Sequence, residues 1–313
     1  MPKHIRSLHD IQLTKPAIVT IGVFDGVHLG HQQLVRQLVA EAQASDRTSV
    51  VLTFFPHPDV VLKGVAGRYY LNTPEEKAEL LLDMGVDLVI THTFDEEVRQ
   101  IRAAKFVEQL RKHLNMSALW VGSNFALGYK REGTIDFLRE QGREYGFSVD
   151  SIELKTGVQG YVISSTRIRE ALATGAVEQV ATWFNRSYRI GGAVVHGDHR
   201  GRTIGFPTAN IETWEEQLLP AYGVYACRAY LGGAALPAVV NIGLQPTFEG
   251  SQLKVEAHLL DFGRDIYGET LHLEFVGMLR AEKRFNGLDE LVAQINKDVA
   301  QARVMLVAPV PPQ

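Results

Sequence analysis

Two histidines, His28 and His31, stand three residues apart at the exit of a glycine-punctuated turn that runs from Gly22 to His31 as GVFDGVHLGH. An apolar run, residues 17–21, precedes the turn, and a helix-like segment, residues 32–44, follows it. An α/β protein holds anions where a strand ends in a glycine turn and a helix begins, because free backbone N–H groups point outward there. Imidazoles add hydrogen-bond donors near neutral pH and, when protonated, positive charge. The spacing therefore predicts a phosphate site with Gly22, Phe24, Asp25 and Gly30 around the anion. His28 and His31 would face the charge that grows on phosphorus. The plainer readings are two histidines satisfied within the fold, or two metal ligands on one helical face. A zinc site needs further Cys, His or acidic ligands close by. The chain has one cysteine, Cys227, and no matching second cluster.

Ligands of a doubly wound fold sit beyond the carboxyl ends of its strands, so three more segments are expected on the same rim. Thr53-Phe54-Phe55-Pro56-His57-Pro58 ends one apolar run. Gly122-Ser123-Asn124-Phe125 ends another and leads to Lys130-Arg131. Ile163-Ser164-Ser165-Thr166-Arg167-Ile168-Arg169 opens a helix, and hydroxyls at a helix N-terminus with arginines nearby suit phosphate oxygens. Taken singly, each segment is also an ordinary turn or cap, Ser165 as an N-cap included. There is no Gly-x-Ser-x-Gly elbow. That favours direct displacement at phosphorus, in which positioning and charge stabilisation do most of the catalysis.

A second set of chemistry-bearing residues lies later in the chain. Gly197-Asp198-His199-Arg200-Gly201-Arg202 leads into Gly205-Phe206-Pro207-Thr208-Ala209-Asn210. Glycine and arginine crowded in a loop predict a backbone cradle for phosphate built on Arg200, Gly201, Arg202 and Gly205. Thr208 and Asn210 offer two neutral oxygens on one side of an extended segment. With nucleotide phosphates these suffice for Mg²⁺, which keeps waters and needs few protein ligands. Val255, Ala257 and Leu259 alternate with Glu256 and His258. This is a half-buried strand with a wet face, on which Glu256 is either a plain surface residue or a general base. Residues 279–285 (LRAEKRF) are surface charge or a flap over a substrate.

The His28-Leu29-Gly30-His31 turn, taken with residues 163–169, resembles the HxGH nucleotidyltransferase superfamily and its ISSTxIR signature. Three later stretches complete a wider likeness: Arg200–Asn210, Asn241-x-Gly243-x-x-Pro246-Thr247-Phe248, and Glu256-x-His258-Leu259-Leu260-Asp261-Phe262. From about Val19 to Arg303 the chain resembles the bacterial bifunctional riboflavin kinase/FAD synthetase family. That resemblance implies two ATP-dependent reactions with riboflavin, FMN and ATP as substrates and Mg²⁺ as the metal. The second half would be a flavokinase barrel with Mg²⁺ at Thr208 and Asn210 and with Glu256 as the base that turns riboflavin into FMN. The first half would join FMN to AMP, with His28, His31, Ser164, Ser165, Thr166 and Arg169 at the phosphates. Flavin contacts would fall to Phe55, His57 and Asn124 in the first half and to Arg280 in the second. Two rivals remain: a riboflavin kinase whose first half no longer adenylylates, and a flavin-sensing protein without turnover.

The elements that carry these motifs follow two grammars. Up to about Asn185 strands and helices alternate: strands near 49–55, 88–91, 118–121 and 147–154, and helices from Thr73-Pro74 and over 103–114 and 135–145. Such alternation predicts a doubly wound parallel sheet, Rossmann-like, with helices on both faces. After Tyr188 come short β-rich runs, near 189–195, 223–230, 238–242, 254–260 and 270–279, then one helix over 288–306. This spacing predicts a small antiparallel β-barrel or sandwich with a C-terminal helix. The domains are expected at 1–185 and 186–313, with a proline-rich, disordered tail over 308–313. The 313 residues carry a net charge of −4, which argues against nucleic acid as a partner. A single-stranded nucleic-acid barrel would need a basic, aromatic-lined groove. One cysteine fits a reducing compartment. No apolar run reaches the ~18–20 residues of a membrane span, and no signal-peptide core opens the chain. A soluble, cytoplasmic protein is expected. Oligomeric state is not legible.

Overall fold

The structure, a computed structural model, describes residues 3–152, 163–197, 201, 204–247 and 250–307. Its contacts divide the chain into two compact units. The first is Met1–Ala66 with Asn72–Ser164, and the second is Gly67–Leu71 with Ser165–Gln313.

The first unit is a six-stranded parallel sheet: β1 (Lys3–Ile5), β2 (Ala17–Ile21), β3 (Thr48–Phe55), β4 (Leu88–Thr93), β5 (Met116–Gly122) and β6 (Ser148–Ile152). The spatial order is β1-β4-β3-β2-β5-β6, with every pairing parallel. All five residues of β2 are buried, as expected of a central strand covered on both faces. From β2 the chain winds outward through β3 to β4, then returns to β5 on the other side. The order therefore reverses between β2 and β5, and ligands of open α/β sheets bind beyond the strand ends at such a point.

Helices α1 (Leu29–Ala44), α2 (Pro58–Lys63), α3 (Pro74–Asp83), α4 (Glu96–Gln100), α5 (Ala103–Leu114) and α6 (Ile135–Tyr145) connect the strands. Leu34, Leu38 and Leu81, from α1 and α3, pack in one core. Phe106, Leu110, Leu114 and Leu138, from α5 and α6, pack in the other. Thr73 caps α3 through a reciprocal capping box with Glu76, and Pro74 opens the helix.

The second unit begins with α7 (Ser165–Ala173) and α8 (Val177–Phe184). Six antiparallel strands then close a barrel: β7 (Tyr188–Val195), β8 (Ala209–Thr213), β9 (Gly223–Leu231), β10 (Ala234–Thr247), β11 (Gly250–Leu259) and β12 (Thr270–Ala281). Their order is β10-β11-β8-β7-β12-β9, and β9 pairs with β10 to complete the ring. Closure removes the exposed edges that a sandwich would keep. Tyr188, Tyr225, Cys227, Val240, Ala257 and Phe275 are buried. Gly192 is required where β7 crosses β8, because a Cβ there would lie 1.9 Å from the Glu212 carbonyl oxygen. The last helix, α9 (Leu288–Val307), lays Ala302 against Val224, Ala226 and Val239 of the wall.

The expected architecture is the one observed: a doubly wound parallel sheet, then an antiparallel barrel with a C-terminal helix. Some local expectations change. The helix after the histidine turn starts at Leu29 rather than 32, so His31 sits in its first turn. Pro58 opens α2 in place of a plain proline turn, because His57 Nδ1 accepts from the Asp59 N–H and caps that helix. Ser165 is the first residue of α7 rather than its cap, which leaves the capping position to Ser164. Residues 209–213, read from the sequence only as an extended segment at Thr208–Asn210 and not as a strand of their own, form the barrel strand β8. The 308–313 tail lies outside the described residues.

Candidate active sites

In the first unit, the carboxyl end of β2 feeds a turn that is strained and over-determined. Phe24 and Val27 take left-handed φ values of 52° and 40°, with Gly26 at 81° between them. A β-branched residue rarely adopts that conformation, and such strain persists only where surroundings enforce it. Here they do. The Val27 N–H donates to the Phe24 carbonyl at 3.0 Å, and Gln32 Nε2 donates to the Val27 carbonyl at 2.9 Å. Both strained side chains are buried. The turn delivers His28 to the N-cap position of α1, where its side chain makes no capping hydrogen bond. The first turn of α1 also contains no acidic side chain. It can therefore offer backbone N–H groups to an anion. The His28 and His31 rings stack with centroids 3.7 Å apart and planes 19° apart. His31 Nδ1 is buried with no hydrogen-bond partner among the described residues. Burial, then the neighbouring His28 and Lys77, push the His31 pKa well below the usual value, so at neutral pH it acts as a neutral imidazole.

Of the other first-unit segments, Asn124 lines an open cleft of about 520 Å³ with Ser123, Phe125, Arg131, Thr134 and Ser151. Arg131 Nη2 donates to the Asn124 carbonyl at 2.9 Å, so at least one of the two predicted surface cations braces this loop. Phe55 is half-buried at the end of β3. His57 is buried, and its Nδ1 is taken up by the α2 cap. Ser164 ends the first unit, whereas Ser165, Thr166 and Arg169 belong to the second. There, Arg169 lies 3.8 Å over the Tyr69 ring, and its Nε donates to the Tyr69 carbonyl.

In the second unit the register of the barrel settles how the kinase-like residues relate. Glu256 of β11 lies directly opposite Asn210 of β8 on one side and Asn241 of β10 on the other. Residues opposite one another in a ladder share a face, with Cβ atoms about 4.5–5.5 Å apart. Asn210, Glu256 and Asn241 thus form one polar row, while Val255 and Ala257 turn the other way and are buried. Asn210 Oδ1 is buried with no hydrogen-bond partner among the described residues. A desolvated acceptor of that kind is costly unless a donor or a cation completes it. Thr208 lines a cavity of about 340 Å³ with Val194, Ala257, Leu259, Phe262 and Tyr267. His258 Nδ1 lies 2.8 Å from the Pro207 carbonyl and holds the approach to Thr208. The Gly201 carbonyl accepts from the Ile204 and Phe206 N–H groups, and Gly205 takes a φ of 87°. Arg200 and Arg202 lie outside the described residues. The Arg280 guanidinium is held by the buried Asp298 carboxylate, with N···O distances of 3.0–3.2 Å.

Sequence reasoning missed Lys77, which is only 6% exposed, and named Asn241 as part of a motif without placing it beside Glu256. Lys77 precedes Leu81 by four residues, and that helical spacing was the available signal that it shares the apolar stripe of α3. The position of Asn241 opposite Glu256 follows only from strand pairing.

Comparison with known proteins also divides the chain in two. A family model for FAD synthetase matches residues 10–167, and one for riboflavin kinase matches residues 184–306. The chain is 39% identical over 306 residues to the bifunctional riboflavin kinase/FMN adenylyltransferase of Escherichia coli strain K12, covering 96% of this chain and 97% of that one. It is 35% identical over 305 residues to the protein of the same name from Bacillus subtilis strain 168, covering 96% of each. A crystal structure named as a macrolide-efflux protein from Streptococcus pneumoniae superimposes with a TM-score of 0.87 at 29% identity, over 96% of this chain and 98% of that one. Among the described residues of the present chain, no helix is long and apolar enough to cross a membrane.

Proposed function

Because the chain belongs to the bifunctional riboflavin kinase/FMN adenylyltransferase family, we propose that it carries out both steps from riboflavin to FAD, each at its own site. The observation that carries this reading is the separation of the two sets of reacting side chains. The histidine turn sits at the switch point of a parallel sheet, and the Asn210–Glu256–Asn241 row lies on a closed barrel.

In the barrel, Glu256 takes the proton from the terminal ribityl hydroxyl of riboflavin as that oxygen attacks the γ-phosphorus of ATP. The bond to the β-phosphate oxygen breaks, giving FMN and ADP. The Thr208 hydroxyl and Asn210 Oδ1 fit Mg²⁺, since the latter is a buried acceptor that needs a partner. When bound, the ion would neutralise the phosphate oxygens. The 340 Å³ cavity beside Thr208, walled by Val194, Leu259, Phe262 and Tyr267, suits the ATP base. The Arg200–Gly205 loop is assigned to the phosphates. Arg280 supports the flavin side through its pairing with Asp298.

In the first unit, an FMN phosphate oxygen attacks the α-phosphorus of a second ATP, and pyrophosphate leaves. Gly22, Phe24, Asp25 and Gly30 shape the turn, and the α1 N-terminus with His28 and His31 donates hydrogen bonds to the phosphate charge. Ser164, Ser165, Thr166 and Arg169 are assigned to ATP phosphates in this step, and Phe55, His57 and Asn124 to the flavin. The catalytic boundary is placed at residues 185/186, and the protein is assigned to the cytoplasm, where both substrates and reducing conditions are found.

The test is incubation of the purified protein with riboflavin, ATP and Mg²⁺, followed by separation of the flavins. FMN should appear first and FAD later. FMN without FAD would support the kinase-only rival, and bound but unchanged riboflavin would support a sensor.

A further inference from the structure

The buried cation behind the histidine turn has no part in the mechanism above. Lys77 rises from α3 with 6% of its surface exposed, and its ammonium donates to the Val23 carbonyl at 3.1 Å and the Phe54 carbonyl at 3.3 Å. The Val23 carbonyl also accepts from Thr53 Oγ1 at 2.8 Å. Val23 opens the strained turn, and Phe54 lies one residue before the end of β3. One ammonium therefore ties together the carboxyl ends of the two central strands from which the adenylyl site is built. A lysine is almost never fully buried unless paired. Its charge partner here is the buried Asp25, next but one to Val23.

We infer that Lys77 is a positioning residue for adenylyl transfer, fixing the turn that presents His28 and His31 and holding a positive charge behind them. The inference rests on the reading of that turn as the adenylyl site. Lys77 acts through its neighbours and does not touch substrate. Its charge helps to keep His31 neutral, and so available as a hydrogen-bond donor rather than a competing cation. It also draws phosphate charge toward the turn through a medium of low dielectric, where a fixed charge acts more strongly than in water.

The groups that set the charge of Lys77 come from each surrounding element. Asp25 of the turn raises its pKa. His31 of α1, stacked on His28, and His4 of β1 both feel its positive charge. β3 contributes the Phe54 carbonyl, and on α3 itself Glu76 is engaged in the Thr73 cap. Burial outweighs Asp25 and brings the Lys77 pKa down to about 8. The charge is present at pH 7 and is lost as pH rises through that value.

The experiment is the pH dependence of FAD synthesis from supplied FMN, ATP and Mg²⁺ by the full chain, with riboflavin phosphorylation measured alongside. The parent protein should lose FAD synthesis, but not the kinase reaction, along an alkaline limb centred near pH 8. K77M should lower kcat for FAD synthesis roughly tenfold to a hundredfold at pH 7, as expected for a misplaced site. It should also abolish the limb and spare the kinase. K77R, which keeps the charge, should restore part of the rate and carry the limb to higher pH. D25N should move the limb to lower pH, because the carboxylate that raises the Lys77 pKa is gone. That shift decides the matter even if K77M fails to fold. A parent profile with no limb between pH 7 and 9 would overturn the inference, as would a limb unchanged in D25N or in a folded K77M. A parent that makes FMN but no FAD at any pH would instead overturn the reading of the turn.

Discussion

On the proposed reading, His31 and Glu256 carry the two reactions, and each can be removed without touching the other's unit. H31A takes a donor from the adenylyl transition state and should cost on the order of 10²–10³ in FAD synthesis. E256Q keeps shape but removes the base, a loss of roughly 10²–10⁴ in riboflavin phosphorylation. Assays of both variants with riboflavin and with FMN should show opposite losses, and a variant that lost both activities would contradict the separation. A second residue-scale outcome concerns acid. Burial is the first cause that holds His4, His31 and His92 below the usual 6.5. When the chain unfolds, these rings regain ordinary basicity, so below about pH 6.5 the unfolded state binds more protons. The contribution of these rings to the stability of the first unit is therefore full above that pH and is lost as pH falls below it. Melting curves between pH 7.5 and 5.5 should show the decline, and H31Q should flatten it. An equal slope in H31Q would mean that His31 is not held neutral in the fold.

The long elements could be read from the chain with little error. Residues 103–114 and 135–145 form α5 and α6 as expected, because their apolar positions recur at helical spacing and Thr134 stands ready to cap α6. What the sequence hid was set by partners distant in the chain. β8 carries only five residues and follows a glycine-rich loop, and its strand character comes from pairing with β7 and β11. The helix α8 was missed for a similar reason, since eight residues give barely two turns of periodicity. The proposed site could be nominated where chemistry dictates residue type at fixed spacing, as at His28 and His31 or at Thr208 and Asn210. It could not be nominated where placement depends on a neighbouring element, as the pairing of Asn241 with Glu256 does on strand register. At this scale α7 and α8 bear a measurable load. Val177, Val180 and Phe184 are buried, Phe184 packs 6.3 Å from the Tyr188 ring, and the Ala221 N–H donates to the Leu172 carbonyl. A fragment starting at Arg186 loses all of these, whereas one starting at Ser165 keeps them. Exposing such side chains removes about 1.5–3 kcal/mol each of burial free energy. The longer fragment should melt well above the shorter, and coincident melting curves would show that the helix pair adds nothing to the barrel.

At the scale of the whole molecule, packing and chemistry draw their boundaries in different places. The riboflavin kinase model begins at residue 184, yet the compact unit that contains the barrel begins at Ser165 and also takes in Gly67–Leu71. That short piece is firmly held. Arg68 Nη1 donates to the Trp214 and Gln217 carbonyls, the Tyr69 and Tyr70 N–H groups donate to the Glu216 carbonyl, and the Tyr70 ring lies 4.9 Å from that of Trp214. The chain therefore passes between its units three times rather than once. This has a consequence during synthesis on the ribosome. The five residues leave the exit tunnel early, but their binding surface at Trp214–Leu218 is translated about 150 residues later, roughly 10–30 s at ordinary elongation speeds. For that interval Tyr69 and Tyr70 lack the Trp214–Leu218 surface, so this early stretch of chain completes its contacts only after β7 and β8 of the barrel have been made.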